Sequence, residues 1–186
     1  MNNPEYILTD EIETVVTAVK TSLNLPVLNY QYGYVSDVAE KLQNYGKTAT
    51  YAALKFPLVW LVQPFTVKHD GTLGIFGKVD DLEIFVINET VKNADTATRM
   101  TNNFKPIIYP IVRELKKQLC KSGVFAETSV EKLIYRESDW HYWGETQNKA
   151  ITDVFDCTRI FGLNLTIKNN KNFIQADVVA LDFDDE

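Results

Sequence analysis

The sequence predicts an α+β fold in which a mostly antiparallel sheet packs against helices. Apolar residues repeat at helical spacing near the N-terminus and again over residues 96–122. Between these two stretches, segment 56–90 reads as consecutive strands separated by turn signals, which predicts an antiparallel meander at the centre of the fold. The chain has 186 residues, so we expect one domain over residues 1–186 that buries a single core.

An N-terminal helix is predicted over residues 9–24. Thr9 or Asp10 is placed to cap the free N–H groups of its first turn, and Pro26 ends it. The apolar positions form one stripe, so this helix should lie against a sheet or a partner rather than at the centre of the fold. The stripe contains Ile12, Val15, Val16, Val19 and Leu23.

The next elements alternate between strand and helix. A half-buried strand is predicted over 28–34, where tyrosines alternate with polar residues or glycine, and a short helix over 36–45. The continuous apolar run 58–62 then indicates a central strand that is covered on both faces. Pro57 and Pro64 bracket this run, where their missing N–H donors disturb strand pairing least.

Residues 65–91 predict a hairpin within the meander. Asp70 and Gly71 form a strong tight-turn signal at its tip. Asp80 and Asp81 predict a second turn ahead of the last strand of the meander. The glycines around the tip have the spacing of no phosphate-binding loop, so we interpret them as turn and bulge residues.

The second long helical stretch covers residues 96–122 and ends at Gly123. Pro106 and Pro110 each remove a backbone donor, so we expect the stretch to be kinked or split, with a short helix ending near Lys105 and a second one beginning near Pro110.

The last third of the sequence is less regular. Alternation over 133–143 is weak and predicts an extended arm or a hairpin, and residues 148–155 fit a short helix. Residues 159–167 alternate clearly and predict a strand. A final strand is predicted over 173–183, and the acidic end, 184–186, is expected to fray.

Composition limits the classes of partner. The net charge is −6 and the sequence pI is about 5.0, which argues against general binding to nucleic acid or to anionic membranes. Cys120 and Cys157 are too few for a disulfide scaffold and are expected to be buried thiols. The first residues lack a basic region ahead of an apolar stretch, and no run is long enough to span a bilayer, so we expect synthesis and folding in the cytoplasm without membrane contact.

A search for reactive chemistry finds little. The two histidines, His69 and His141, stand far apart, and no dense acidic spacing predicts a metal site. No nucleophile motif occurs, and the spacing of Cys157 and His141 does not bring them together. We therefore predict no catalytic residue, no cofactor and no metal, and we do not expect an enzyme.

The most unusual local composition is the run of four residues from Trp140 to Trp143. Alternation places Trp140 and Tyr142 on one face of an extended segment, and His141 and Trp143 on the other. The run can be core, or it can supply the large amphipathic side chains that anchor protein interfaces. Stacking on nucleic-acid bases is a third interpretation, which the scarcity of neighbouring basic residues weakens.

Two segments together resemble a known family. Residues 54–122 contain Lys-Phe-Pro-Leu-Val-Trp-Leu, then a hairpin and Leu-Glu-Ile-Phe-Val-Ile-Asn-Glu-Thr, then Phe-Lys-Pro-Ile-Ile-Tyr-Pro-Ile and an amphipathic helix. Tyr-Trp-Gly at 142–144 and the stretch 148–160 complete the pattern. This resembles the small tail-completion proteins, also called tail terminator or neck proteins, of long-tailed bacteriophages.

The resemblance implies a structural subunit of the virion, located at the neck and tail and made in the host cytoplasm. Such subunits form a homo-oligomeric ring, typically a hexamer, at the head-proximal end of the tail tube, where they contact the tube protein and the head connector. DNA passes through the lumen without specific binding, and no cofactor or catalytic residue is implied. Another head–tail adaptor of the virion, or a cellular module that binds a ligand or peptide, remains an alternative. The candidate interface residues are Trp140, Tyr142, Trp143, Asp70 and Gly71.

Overall fold

A computed structural model describes residues 7–45, 55–69, 75–91, 93–142, 145–146, 149–150 and 155–168. It confirms the predicted class: a mixed, mostly antiparallel sheet of six strands packs against an N-terminal helix and a helix of 26 residues. In chain order, the first elements are α1 (Leu8–Ser22), β1 (Asn29–Gly33), α2 (Val35–Tyr45), β2 (Leu58–Val62) and β3 (Thr66–His69). They are followed by β4 (Ile75–Glu89), the long helix α3 (residues 96–121), β5 (Ile134–Tyr142), β6 (Glu145–Thr146), β7 (Lys149–Ala150) and β8 (Phe155–Lys168).

The sheet has the order β1-β2-β4-β8-β5, with β3 paired to β4 beside this path. Strand β1 runs parallel to β2, and the other pairings are antiparallel. The predicted meander is therefore partly wrong, because β2 and β3 do not pair with each other. Both lie along the same edge of β4, β2 beside residues 84–87 and β3 beside residues 77–80.

The second turn predicted at Asp80 and Asp81 is also wrong. Strand β4 continues through these residues, and its register against β8 shifts between Val79 and Leu82. Asp81 has φ 57° and Gly162 on β8 has φ 62°, and both values lie in the left-handed region that turns and bulges use. The Asp81 N–H donates to Asn164 Oδ1 over 3.0 Å, so a cross-strand side chain satisfies the donor that the bulge displaces.

Helices α1 and α3 cover one face of the sheet and form the main core with it. The predicted periodicity of α1 is confirmed, but the predicted cap is wrong. The helix begins at Leu8, the residue before it is Ile7, and no side chain caps the first turn. Asp10 instead lies within that turn, where a negative charge interacts favourably with the helix dipole.

The long helix is present where the sequence predicted it to be kinked or split, but it is not split. Residues 96–121 form one helix whose middle part, Met100–Ile108, is π-helical. Pro106 lies inside this wider stretch, and the Tyr109 N–H bonds to Phe104 C=O, five residues earlier. In a π-helical turn each N–H bonds to the carbonyl five residues earlier instead of four. The helix can therefore continue past proline without the break that α-helical geometry predicts.

On the opposite face of the sheet, α2 covers the part formed by β2 and the neighbouring strands. Val38 and Leu42 of α2 pack against Leu58, Trp60 and Ile87 in a second, smaller core. Strand β2 is thus buried on both faces, as its sequence predicted.

The predicted extended segment over 133–143 is confirmed as β5, which pairs antiparallel with β8 as an outer strand of the described sheet. The predicted helix over 148–155 is wrong at the residues that the structure describes, because 149–150 belong to strand β7 and Phe155 begins β8. The predicted strand over 159–167 is confirmed within β8. The predicted tip at Asp70 and Gly71, and the segments 173–183 and 184–186, lie outside the described residues.

The carboxylate of Glu114 links α1 and α3, the two helices that pack in the main core. Glu114 Oε1 on α3 accepts hydrogen bonds from Ser22 Oγ at the end of α1 and from Gln118 Nε2, each over 2.7 Å. The hydrogen bond from Ser22, followed by that from Gln118, lowers the pKa of Glu114. These bonds favour the ionised form in the folded state.

Glu114→Gln should therefore make the stability less dependent on pH. A lowered pKa in the folded state contributes stability above the unfolded pKa of about 4.3, and this contribution is lost as the pH falls through the folded pKa. We expect the difference in melting temperature between the wild type and this variant to shrink from pH 7 to pH 3. Glu40→Gln, at an exposed position on α2, is the control; an unchanged difference across that range would contradict the role of Glu114.

Candidate functional site

Of the predicted interface residues, the structure describes the side chain of Trp140. It lies on β5, pairs in register with Cys157 and is 41% exposed, which is unlike a core tryptophan. The backbone of Tyr142 pairs with Phe155 further along the same strand. Trp143, Asp70 and Gly71 lie outside the described residues.

Guanidinium groups stack on the aromatic rings beside Trp140. The Arg159 Cζ lies 5.4 Å from the Trp140 ring centroid and 4.5 Å from that of Phe161, and its Nε donates to a carboxylate oxygen of Glu83. Arg136 Cζ lies 4.7 Å from the Phe161 centroid. These cation–π contacts pack Arg159 against the Trp140 ring, while much of the ring stays exposed to solvent.

A buried ion pair lies on the other side of the sheet, under the N-terminal half of α3. Arg99 Nη1 donates to Asp156 Oδ1 over 3.0 Å, and Arg99 Nε donates to Ala94 C=O over 2.8 Å. Asn103 Nδ2 donates to Asp156 Oδ2 over 2.9 Å. Asp156 is fully buried and both of its oxygens are occupied, so this arrangement stabilises a negative charge rather than exposing it for reaction.

Sequence reasoning did not find this cluster. Arg99 and Asn103 are four residues apart on α3, while Asp156 is 57 residues from Arg99. The available signal was a lone acid between Phe155 and Cys157, at the beginning of an apolar strand. Such an acid is expected to have a partner when the strand is buried, although the sequence does not name that partner.

A small groove borders the ion pair. It has a volume of about 200 Å³ and is lined by residues of the end of β4, of the segment after it and of the N-terminal half of α3, including Asn88, Thr90, Val91, Thr98, Asn102 and Ile107. Pockets for drug-sized ligands are usually larger, about 300–1,000 Å³. The charged side chains in its lining are Glu89 and the paired Arg99, so the groove does not bring together the acid and base groups that catalysis uses.

Polar contacts join α3 to the outer strand β5. Tyr109 OH donates to Asp139 Oδ2 over 2.5 Å, and Thr158 Oγ1 donates to Asp139 Oδ1 over 2.6 Å. Burial, together with the hydrogen bond to Asp139, raises the pKa of Tyr109 to about 12. Lys116 Nζ lies 2.6 Å from Glu137 Oε1, so two positions on α3 hold β5 against the helix.

The cysteines are not activated in the folded protein. Burial, with a smaller contribution from Asp156, raises the pKa of the Cys157 thiol to about 12, and burial also raises that of Cys120. The thiolate is the nucleophilic form, so both shifts lower reactivity. In the part of the chain that the structure describes, no three His, Cys, Asp or Glu side chains cluster as metal ligands. No helix within the described ranges has the length and apolar character to cross a bilayer.

Comparison with known proteins found no match, whether against family models, curated proteins or solved structures.

Removing one member of the buried ion pair should destabilise the fold strongly. Asp156→Asn leaves the Arg99 guanidinium buried beside a neutral group, and we expect a loss of about 3–5 kcal/mol in chemical denaturation. Asp139→Asn, at an exposed carboxylate, is the matched control and should cost about 1 kcal/mol. Equal losses in the two variants would contradict the structural importance of the buried pair.

Thiol labelling should distinguish the two cysteines. With an aromatic disulfide reagent at pH 8, Cys157 should not react in the folded protein, and Cys120, which is partly exposed, should react slowly. Both should react at once after denaturation. Rapid native labelling of Cys157, identified by mass spectrometry, would show that its surroundings are more open than described.

Proposed function

We propose that this protein is a non-enzymatic structural protein of a long-tailed bacteriophage virion. It forms a ring at the head-proximal end of the tail, where it terminates the tail tube and joins it to the head connector. The ring is a hexamer, as is typical of the family that residues 54–122 resemble. Its partners are further copies of itself, the tube protein and the connector.

The observation that carries this proposal is where the exposed apolar side chains lie. Six large hydrophobic residues in the described part of the chain are exposed, and four of them lie on the outer strands of the sheet or directly beside one. These are Tyr32 and Tyr34 at β1, and Ile134 and Trp140 on β5. Outer strands with exposed apolar groups favour association with other chains unless they are covered.

The polar chemistry of the molecule supports a structural role. The charged groups of the main buried cluster pair with each other, and the thiols are shifted away from their reactive form. The net charge of −6 suits a channel through which DNA must slide, because a basic lumen would hold the phosphates. Specificity would then come from shape and from anchoring side chains.

Electron microscopy of virus particles tests the proposal. Antibody label against this chain should lie between the tail tube and the head connector. Particles made without the chain should contain filled heads that lack tails, and tubes of irregular length. Label on another part of the particle would favour a different adaptor, and absence of the chain from particles would overturn the proposal.

Trp140→Ala should reduce assembly more than folding. Loss of a central aromatic anchor should lower the incorporation of the chain into particles by about tenfold or more. The free energy of unfolding should change by about 1–2 kcal/mol, because the side chain is partly exposed and contacts Arg159. Val91→Ala, at a residue that is 72% exposed but lies away from the outer strands, is the control. An equal loss of assembly in both variants would argue against an anchoring role for Trp140.

The groove beside Arg99 favours a second candidate, a module that binds a small ligand or peptide. Its lining combines amide and hydroxyl groups with the exposed Val91, a pattern that suits an extended peptide. A screen of peptides by calorimetry, with Asn102→Ala as the variant that alters the lining, would support this candidate if binding were lost in the variant. Binding of peptides together with absence from particles would favour the module over the virion protein.

A further inference from the structure

We infer that copies of this chain associate head to tail, with the β1 edge of one copy against the β5 edge of the next. This inference rests on the proposed ring and deepens it, because it names the two surfaces that meet. Strands β1 and β5 are the outer strands at opposite ends of the described sheet. Two different edges that bind each other generate a ring or a filament, whereas one edge that binds itself gives only a dimer.

The β1 edge offers backbone groups for pairing. Asn29 N–H donates to Pro57 C=O and Gly33 C=O accepts from Gln63 N–H, so these residues face the β2 side. Because backbone direction alternates along a strand, the N–H and C=O groups of Tyr30 and Tyr32 point away from β2. No strand in the described ranges pairs with that side of β1.

An acidic helix borders the β1 edge. Tyr30 OH donates to the C=O of Thr9 on α1 over 3.0 Å, which places the first turns of α1 beside β1. Burial raises the pKa of Tyr30, with further contributions from the negative charges of Glu13 and Asp10, so these two acids lie near the strand. Both are exposed. We call the surface formed by Asp10, Glu13, Tyr32 and Tyr34 the acidic edge.

A basic helix borders the β5 edge. Tyr109 and Lys116 of α3 contact Asp139 and Glu137 of β5, and Arg113 lies between them on the same helical face. Helix α3 has a single acid, Glu114, and the basic residues on its β5 side are Arg113 and Lys116.

The acids on β5 cancel part of this charge. Glu137 is paired with Lys116, and Asp139 accepts hydrogen bonds from the hydroxyl groups of Tyr109 and Thr158, which carry no charge. The three basic residues Arg113, Lys116 and Arg136 outnumber these two acids, so this side has a net positive charge. We call the surface formed by Arg113, Arg136, Ile134 and Trp140 the basic edge.

Charge and apolar surface therefore select a head-to-tail contact. Contact between two acidic edges, or between two basic edges, brings like charges together, whereas contact between unlike edges pairs them. Each edge also has two exposed large side chains, Tyr32 and Tyr34 on one and Ile134 and Trp140 on the other, so both contribute apolar area to the interface.

Cross-linking of the purified protein tests the arrangement. Two variants, Tyr32→Cys and Ile134→Cys, are made separately in a Cys120→Ser background and carry different tags. Each variant alone and the mixture of the two are treated with a short thiol cross-linker. The mixture should give a cross-linked pair at least about fivefold more efficiently than either variant gives with itself. A single chain with both cysteines should give a ladder of oligomers. Glu40→Cys mixed with Ile134→Cys is the control for random collision.

Two results would overturn the inference. Self-linking of Tyr32→Cys as efficient as linking in the mixture would indicate a symmetric dimer. Absence of any pair above the Glu40→Cys control would show that these edges do not meet. Neither result depends on the location of the chain in a particle, so failure here and failure in the microscopy experiment can be distinguished.

Charge reversal provides a second test by rescue. Glu13→Lys should weaken self-association by about tenfold, because it adds a positive charge to the edge that meets the basic edge, and Arg113→Glu should do the same by adding a negative charge to the edge that meets the acidic edge. Mixing the two variants should restore association at one interface, measured by sedimentation. Glu40→Lys and Lys121→Glu carry the same charge changes at exposed positions outside both edges and should leave association unchanged. Equal weakening by the controls, or no recovery on mixing, would overturn the inference.

Discussion

Burial of one face of a single sheet under two helices is the constraint on which the rest of this structure depends. Helices α1 and α3 share one core with strands β2, β4 and β8, and that core fixes which side of every strand is apolar. On the opposite face, α2 packs against part of the sheet. Within the described residues, no further strand pairs with the outer side of β1 or of β5, so both ends of the sheet keep unpaired backbone groups.

The elements that the sequence predicted well are those whose local pattern agrees with their burial. The apolar run 58–62 forms a strand buried on both faces, and the stripe on α1 packs into the main core. The strand over 159–167 was clear because its inward side chains alternate with outward ones. In each case, the residues that decide the structure are neighbours in the sequence, so periodicity alone contains the information.

The predictions failed where a residue distant in the sequence determines the local structure. Asp80 and Asp81 carry a turn signal, yet Asn164 on another strand accepts the displaced N–H and β4 continues. Pro106 signals a break, but packing of the helix on the sheet preserves it in a π-helical form. The ion pair of Arg99 with Asp156 could not be predicted for the same reason, since most of α3 and the whole of β5 lie between its members in the sequence.

Buried polar groups and exposed apolar side chains differ in how far the chain itself provides them with partners. Among the buried side-chain polar atoms in the described ranges, only Asn29 Nδ2 has no hydrogen-bond partner. The buried carboxylate of Asp156 has its charge compensated by Arg99. In the described part of the chain, apolar side chains and backbone hydrogen-bonding groups remain exposed at the two outer strands of the sheet. Such groups gain free energy by meeting another protein surface, and because the two edges differ, a second copy of the same chain can satisfy both.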